Sequence, residues 1–275
     1  MFEVDCLVQG WPQYKELADD KQISLSQLLS DVATTNVFAG YSLRLLSSSY
    51  LGPCIRVRRS TDGATQDIGF TGNIVDVSAI LSFVGSGNGF VHTWYDQSGN
   101  NRNLIQASVG LQPQIVNSGS LIADAGLPCM QLDGVDDTFT LSSASATLSV
   151  FAVINTIDSQ WMLSGGSTIF VMAAEGNNSS PDTAAGSPNY YRNNGAALER
   201  TRQALLGSYS TGVKLVASVM PLTGVNGDLF LFRFQSGGFN FAAKVSELIF
   251  FSDDKTAERG AIVANIAQGQ SIVLS

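Results

Sequence analysis

Two apolar runs, Leu148 to Asn155 (LSVFAVIN) and Val245 to Phe251 (VSELIFF), constrain the fold of this chain more than any other feature. Each is too continuous for a strand wetted on one face, and each has the length of a strand rather than of a buried helix. They read as central strands covered on both sides. Around them, short β-prone runs alternate with Gly, Asn and Asp clusters: Cys54 to Arg59, Phe90 to Tyr95, Gln114 to Val116, Cys129 to Leu132, Thr138 to Leu141, Trp161 to Leu163, Thr168 to Ala173, Val213 to Met220 and Leu229 to Phe234. This spacing predicts an all-β protein in which two sheets stack, rather than a single sheet. The chain of 275 residues is long enough for one large sandwich.

Three departures from all-β character are expected. Residues 17–35 carry Ile23, Leu25, Leu28, Leu29 and Val32 at helical spacing and form an N-terminal helical arm with the rest of residues 1–36, a candidate attachment segment; residues 37–275 form the sandwich. Asn36 to Leu46 reads as a second helix. Asp253 and Asp254 are expected to cap a short C-terminal helix running to about Ala267, with Ala257, Ile262, Val263 and Ile266 buried, followed by a last strand over Ser271 to Leu274. The stretch Asn177 to Asn194 is the longest polar segment and reads as a surface loop.

Composition excludes several functions. Charged residues are 14% of the chain, against roughly 25% in an average soluble protein, and the net charge is −8, so no positive surface suited to gripping nucleic acid is expected. A single histidine, His92, rules out a zinc site built on several imidazoles. It is expected in a strand, on the same face as Trp94. The three cysteines, Cys6, Cys54 and Cys129, are far apart and suggest no disulfide framework. The acidic N-terminus is unlike a signal peptide, and no apolar stretch is long enough to span a bilayer, so folding in a reducing cytosol without membrane insertion is expected.

An ordered series of motifs carries a family resemblance: Tyr41-Ser-Leu-Arg-Leu-Leu-Ser-Ser-Ser-Tyr50, Ile55-Arg-Val-Arg-Arg-Ser60, Asp67-Ile-Gly69 and Thr93-Trp-Tyr-Asp-Gln-Ser-Gly-Asn100. The series resembles the catalytic-domain family of fungal α-L-arabinofuranosidase B and its relatives in bacteriophage virion proteins. The Leu132-Asp-Gly-Val-Asp-Asp137 turn and the strand-plus-helix ending look like the wider concanavalin-A-like, or laminin-G-like, jelly roll. The resemblance implies a retaining hydrolase with a glutamate nucleophile on a central strand, an aspartate acid/base on a loop shortly before the last strands, and a vicinal cysteine pair lining the sugar pocket. Glu175 and Asp228 are the residues that match those carboxylates most nearly. However, the chain has no adjacent cysteines, and the loop Arg233 to Asn240 contains no carboxylate.

The expected role is therefore a virion structural protein of a tailed bacteriophage, non-enzymatic, that decorates the particle and adheres to host-surface polysaccharide. Such a protein is expected in the virion as a homo-oligomer, joined to other virion proteins through residues 1–36. The alternative is a glycoside hydrolase of the arabinofuranosidase type. Tyr190, Tyr191, Arg192, Asn193, Asn194 and Trp161 are the candidate sugar-binding residues, as exposed aromatics beside amides. Tyr95, Asp96, Gln97, Ser98, Gly99 and Asn100 read as a structural turn, with Asp96 accepting backbone N–H bonds. The alternation of Arg56, Arg58 and Arg59 places the first two on one face, to pair with acids such as Asp62 or Asp67. No cofactor is expected; Asp133, Asp136 and Asp137 are the weak calcium candidates.

Overall fold

The computed structural model describes residues 28–31, 35–142, 147–156, 163–165, 168–170, 188–209, 211–223, 227–232 and 242–274. The principal strands are β1 (Val37–Ser42), β2 (Ile55–Arg59), β3 (Thr65–Ile68), β4 (Gly89–Trp94), β5 (Gln114–Asn117), β6 (Met130–Asp133), β7 (Phe139–Leu141), β8 (Thr147–Asn155), β9 (Leu163–Gly165), β10 (Thr168–Phe170), β11 (Asn189–Arg192), β12 (Leu215–Thr223), β13 (Leu229–Leu231) and β14 (Ala242–Phe251). Among the described residues, three α-helices interrupt them: α1 (Val77–Val84), α2 (Arg202–Tyr209) and α3 (Arg259–Gly269).

A large antiparallel sheet runs in the order β11-β12-β8-β14-β6-β5-β4-β2-β3, and a smaller one in the order β7-β13-β9-β10. Strand β14 joins the large sheet together. One of its edges pairs with β8, while the other pairs with β6 over Ala242–Val245 and with β1 over Glu247–Phe251.

The apolar runs are central strands, as their composition requires. Leu148, Val150, Ala152 and Ile154 of β8 and Leu248 and Phe250 of β14 share one core with Phe139, Leu141, Leu229 and Leu231 of the smaller sheet. Residues alternating with them, Phe151, Val153, Ile249 and Phe251, pack on the opposite face against Ile262, Val263 and Ile266 of α3 and against Leu29 and Leu46. At about 1.5–3 kcal/mol per fully buried large side chain, neither cover is dispensable. Because Leu29 is 3% exposed and Ser30 donates its amide to Leu46 O, packing of the sandwich reaches residues 28–31. The single 3-10 turn Leu29–Asp31 is the part of the expected N-terminal helix that is described; residues 1–27 lie outside the described residues.

Asn36 to Leu46, expected as a helix, contains β1 instead. Five of its six residues pair with β14, and a bulge at Phe38 shifts the register so that Ala39 and Tyr41 enter the inter-sheet core while Val37 packs on the α3 side. Ladder formation and burial on two faces override a local pattern that fits either state. Helix α3 buries the expected Ile262, Val263 and Ile266 but starts only at Arg259, since Asp254 closes a turn on the Thr256 amide and hydroxyl and Asp253 accepts from Lys255 Nζ. Ser271 to Leu274 adds no strand; Ile272 and Leu274 pack beside α3. Helix α1 was not foreseen. It is set by Asp76, whose carboxylate accepts the Ala79 amide at 2.9 Å, and is ended by Gly85 at φ 65°.

Among the described residues no helix is long and apolar enough to cross a membrane.

Candidate functional site

The Tyr95–Asn100 turn is a buried polar knot. Asp96, 3% exposed, accepts from the Gly40 and Ser98 amides through Oδ1 and from Ser98 Oγ and the Arg102 amide through Oδ2, all at 2.8–3.0 Å. Gln97 is equally buried: its Oε1 accepts the Leu46 amide, and its Nε2 donates to the carbonyls of Ser42 and Arg44. Asn100 Nδ2 donates to the carbonyls of Val37 and Phe38. Charged and amide groups thus pin the turn to β1 and to the chain that follows it. Gly99, at φ 87°, occupies the left-handed conformation open to glycine.

Beside this knot lies a cleft of about 440 Å³, walled by Gln97, Ser98, Gly99 and Asn100 on one side and by Asn36, Val37, Gly40 and the Leu46–Tyr50 segment on the other. Hydroxyls, amides, one tyrosine and the aliphatic Leu29, Val37 and Leu46 line it, with no carboxylate among the described lining residues. Such a lining can hold a neutral polar ligand. It cannot supply the two carboxyl groups of glycoside hydrolysis.

Behind the cleft, Glu247 (0% exposed) accepts Arg44 Nε at 2.7 Å, Arg44 Nη2 at 2.9 Å, Ser42 Oγ at 2.8 Å and Gln270 Nε2 at 2.9 Å. Arg44 Nη2 also donates to Asn265 Oδ1. This fully enclosed ion pair ties α3 to β1 and β14. No local pattern signals it, since Arg44 and Glu247 lie 203 positions apart in the chain.

Tyr190 and Tyr191 do not lie on a surface loop. They belong to β11, paired with β12, and are 0% and 8% exposed. Tyr190 is in the inter-sheet core, while Tyr191 packs in the α3-side core with Arg259 over its ring at 4.1 Å. Neither presents a face on which a sugar can stack. Asn193 is buried too, with Oδ1 accepting the Val216 amide, whereas Arg192 is half-buried and Asn194 exposed in the turn after the strand. The paired tyrosines followed by Asn and Gly resemble a loop locally; only the edge of β12 makes them a strand. Trp161 and Glu175, together with the loop Arg233 to Asn240, lie outside the described residues.

Asp228 is exposed at the entry to β13. Leu229 is level with Gly165 of β9, and Gly165 with Thr168 of β10, so Asp228 sits at the end of the small sheet where β10 begins. From there β10 runs away from it.

The carboxylates of Asp133, Asp136 and Asp137 do converge, with one oxygen from each within 4.8 Å of the others. Hard oxygen ligands of this kind suit calcium. Here they also hold the turn: Asp133 Oδ1 accepts the Val135 and Asp136 amides, and Asp137 Oδ2 accepts the Asp133 amide. Asp137 is buried and its carboxyl is pushed up to about 7, chiefly by desolvation; the Asp133 amide opposes the shift and the neighbouring charges of Asp133 and Asp136 add to it.

On the outer face of the large sheet, Arg56 pairs with Asp67 through two bonds of 2.7 Å, and Tyr95 donates its hydroxyl to the same carboxylate. Arg59, on the other side of β2, pairs with Asp62. Arg56 and its salt bridge hold Asp67 below the usual carboxylate range, while burial lowers the His92 imidazole, helped by Arg56 and Arg58. His92 and Trp94 do not share a face. The β2–β4 register shifts so that Arg56 opposes Thr93 and Val57 opposes Val91, leaving His92 as the extra residue; past this bulge Trp94 turns into the core.

A family model described as the catalytic part of α-L-arabinofuranosidase B matches residues 28–138. The probable α-L-arabinofuranosidase B of Aspergillus fumigatus is 39% identical over 79 residues, which are 28% of this chain and 16% of that protein. The α-L-arabinofuranosidase B of Emericella nidulans is 36% identical over 85 residues, 30% of this chain and 17% of that protein. The matched stretch is therefore a small part of these curated relatives. Two solved structures overlay on 88% of the chain, each over 64% of its own length and with a TM-score of 0.58: an arabinofuranosidase complexed with arabinofuranosyl-α-1,2-xylobiose, 15% identical, and a GH54 α-L-arabinofuranosidase soaked with a cyclic sulfate inhibitor, 14% identical. The chain resembles the catalytic domain of α-L-arabinofuranosidase B and has a β-sandwich fold like that of the GH54 structures. These findings overturn the phage virion role and the virion location expected from the sequence, since every relative named here is an arabinofuranosidase and the curated ones come from fungi.

Proposed function

We propose that this chain is a carbohydrate-active domain of the α-L-arabinofuranosidase type, which releases α-L-arabinofuranosyl groups with retention of configuration. The observation that carries this reading is the agreement of a local and a global likeness: the family match over residues 28–138 contains the Asp96 knot, and the overlay on arabinofuranosidase structures covers 88% of the chain. Retaining chemistry needs a nucleophilic carboxylate and an acid/base about 5–5.5 Å from it. Glu175, which follows β10 in the chain, is the candidate nucleophile. Asp228 is the candidate acid/base.

The test is release of 4-nitrophenol from 4-nitrophenyl α-L-arabinofuranoside. Turnover is expected, falling by about 10³-fold or more in Glu175→Gln and less steeply in Asp228→Asn. No release by the intact, folded chain would overturn the hydrolase reading. A second reading, arabinofuranosyl-glycan binding without hydrolysis, is favoured by the course of β10 away from Asp228 and by the absence of adjacent cysteines in the sequence. It would be supported if the inactive chain still bound arabinan.

A further inference from the structure

The registers of the large sheet place six outward side chains in one line across six strands. Arg58 of β2 opposes Phe90 of β4, Phe90 opposes Gln114 of β5, Gln114 opposes Gln131 of β6, Gln131 opposes Lys244 of β14, and Lys244 opposes Asn155 of β8. Directly opposed residues in antiparallel strands share a face. The face is the outer one, because all six are half-buried while the residues beside them, such as Val57, Val91, Ile115, Leu132, Ala243 and Ile154, are in the core. At ~4.8 Å per strand the line extends about 24 Å, a span of several sugar units.

Its chemistry is one-sided. The row holds two cations, three amides and one aromatic ring, and no carboxylate, in a chain whose net charge is −8. Among the described residues no acid forms an ion pair with Arg58 or Lys244. Both cations are instead held in place by neutral groups: Arg58 donates to Gln112 Oε1 at 2.7 Å and lies over the Phe90 ring at 4.7 Å, and Lys244 donates to Ala123 O at 2.9 Å. Asn155 and Gln131 are likewise anchored, to Asp124 Oδ1 and to the Leu132 carbonyl. Arg58, Lys244 and Asn155 keep N–H groups beyond those used in these bonds and are preorganised donors, whereas Gln131, which also donates to the Ala243 carbonyl, offers its amide oxygen.

We propose that this row is a binding strip for an anionic polysaccharide, a linear glycan bearing uronate carboxylates, that crosses the sheet perpendicular to its strands. Arg58 and Lys244 pair with carboxylates, the amides bond to hydroxyls, and Phe90 supports a sugar face. Two half-buried cations in an acidic chain are too few for a phosphate backbone, which favours the glycan over a nucleic acid. The inference extends the carbohydrate reading, and rests on it for the choice of polymer.

Affinity electrophoresis of the full chain through gels containing polygalacturonate, neutral arabinan or single-stranded DNA tests it without requiring hydrolysis. Retardation is expected in polygalacturonate, weakening with salt, and much less in the other two. The double variant Arg58→Gln/Lys244→Gln should weaken it about tenfold, and Lys244→Gln alone about threefold. Arg59→Gln, on the other side of β2, should leave it unchanged, with folding of every variant checked by its thermal transition. No retardation, equal retardation by arabinan or DNA, or an unaffected double variant would overturn the strip. A failed arabinofuranoside assay would not, so the two proposals fall separately.

Discussion

At the scale of single residues, what distinguishes the conspicuous motifs is whether their polar atoms are already used. Asp96 and Gln97 were legible as a turn because Asp, Gly and Asn in that order need particular backbone geometry, and the structure shows their side chains bonded to backbone on three segments. Asp137 is a different case, a carboxyl buried against two other acids whose burden appears only in three dimensions. With its folded-state value raised to about 7 by desolvation and an ordinary value near 3.9 in the unfolded chain, the unfolded chain gives up its proton first as pH rises. Stability should therefore fall from about pH 4 to pH 7 and level off above that. Urea midpoints at intervals across this window should show the decline in the parent chain and a weaker one in Asp137→Asn. Parallel profiles would show that Asp137 does not titrate in this way.

Between elements, the decisive contact is the one that holds α3 on the sheet. The apolar face of α3 was readable from Ile262, Val263 and Ile266, but its partner surface was not, because Phe151 and Phe251 could equally have faced the other sheet. The buried Arg44–Glu247 pair fixes the helix's C-terminal end through Asn265 and Gln270. Gly269 belongs to this arrangement, since a Cβ there would come within 2.8 Å of the Arg44 side chain. Arg44→Met should cost about 3–5 kcal/mol, because it leaves the Glu247 carboxylate enclosed without its cation, whereas Arg44→Met/Glu247→Leu should recover most of that loss. Urea unfolding of the two variants decides the point. A double variant as unstable as the single one would mean that the pair itself supplies the stability.

For the molecule as a whole, the large sheet has two covers, the smaller sheet and α3, which shield opposite faces of β8 and β14. A chain ended after Ser252 would expose Phe151, Val153, Ile249 and Phe251 together. It is expected to lose its cooperative thermal transition and to bind ANS, as a protein does when packing fails but secondary structure survives. A cooperative transition at an unchanged temperature would show that α3 is an accessory. The proposed binding strip shares the outer face with α3 but crosses β14 and β8 at Lys244 and Asn155, beyond Phe151, Val153, Ile249 and Phe251, and among the described residues no helix lies over it.

By itself the sequence determined that the chain would be a two-sheet sandwich with Leu148–Asn155 and Val245–Phe251 at its centre, since only burial on both faces accommodates such continuous apolar runs. It also determined the Asp96 turn and the apolar face of the last helix, because both rest on spacing within a few residues. Tertiary structure decided that Asn36–Leu46 contains a strand, that Tyr190 and Tyr191 are core residues, and that His92 is extruded at a bulge. In each case a local pattern compatible with two states was settled by a ladder partner far away in the chain. The cross-strand row is of the same kind: Arg58, Gln114, Gln131 and Lys244 have no relation in sequence, and register alone puts them in line.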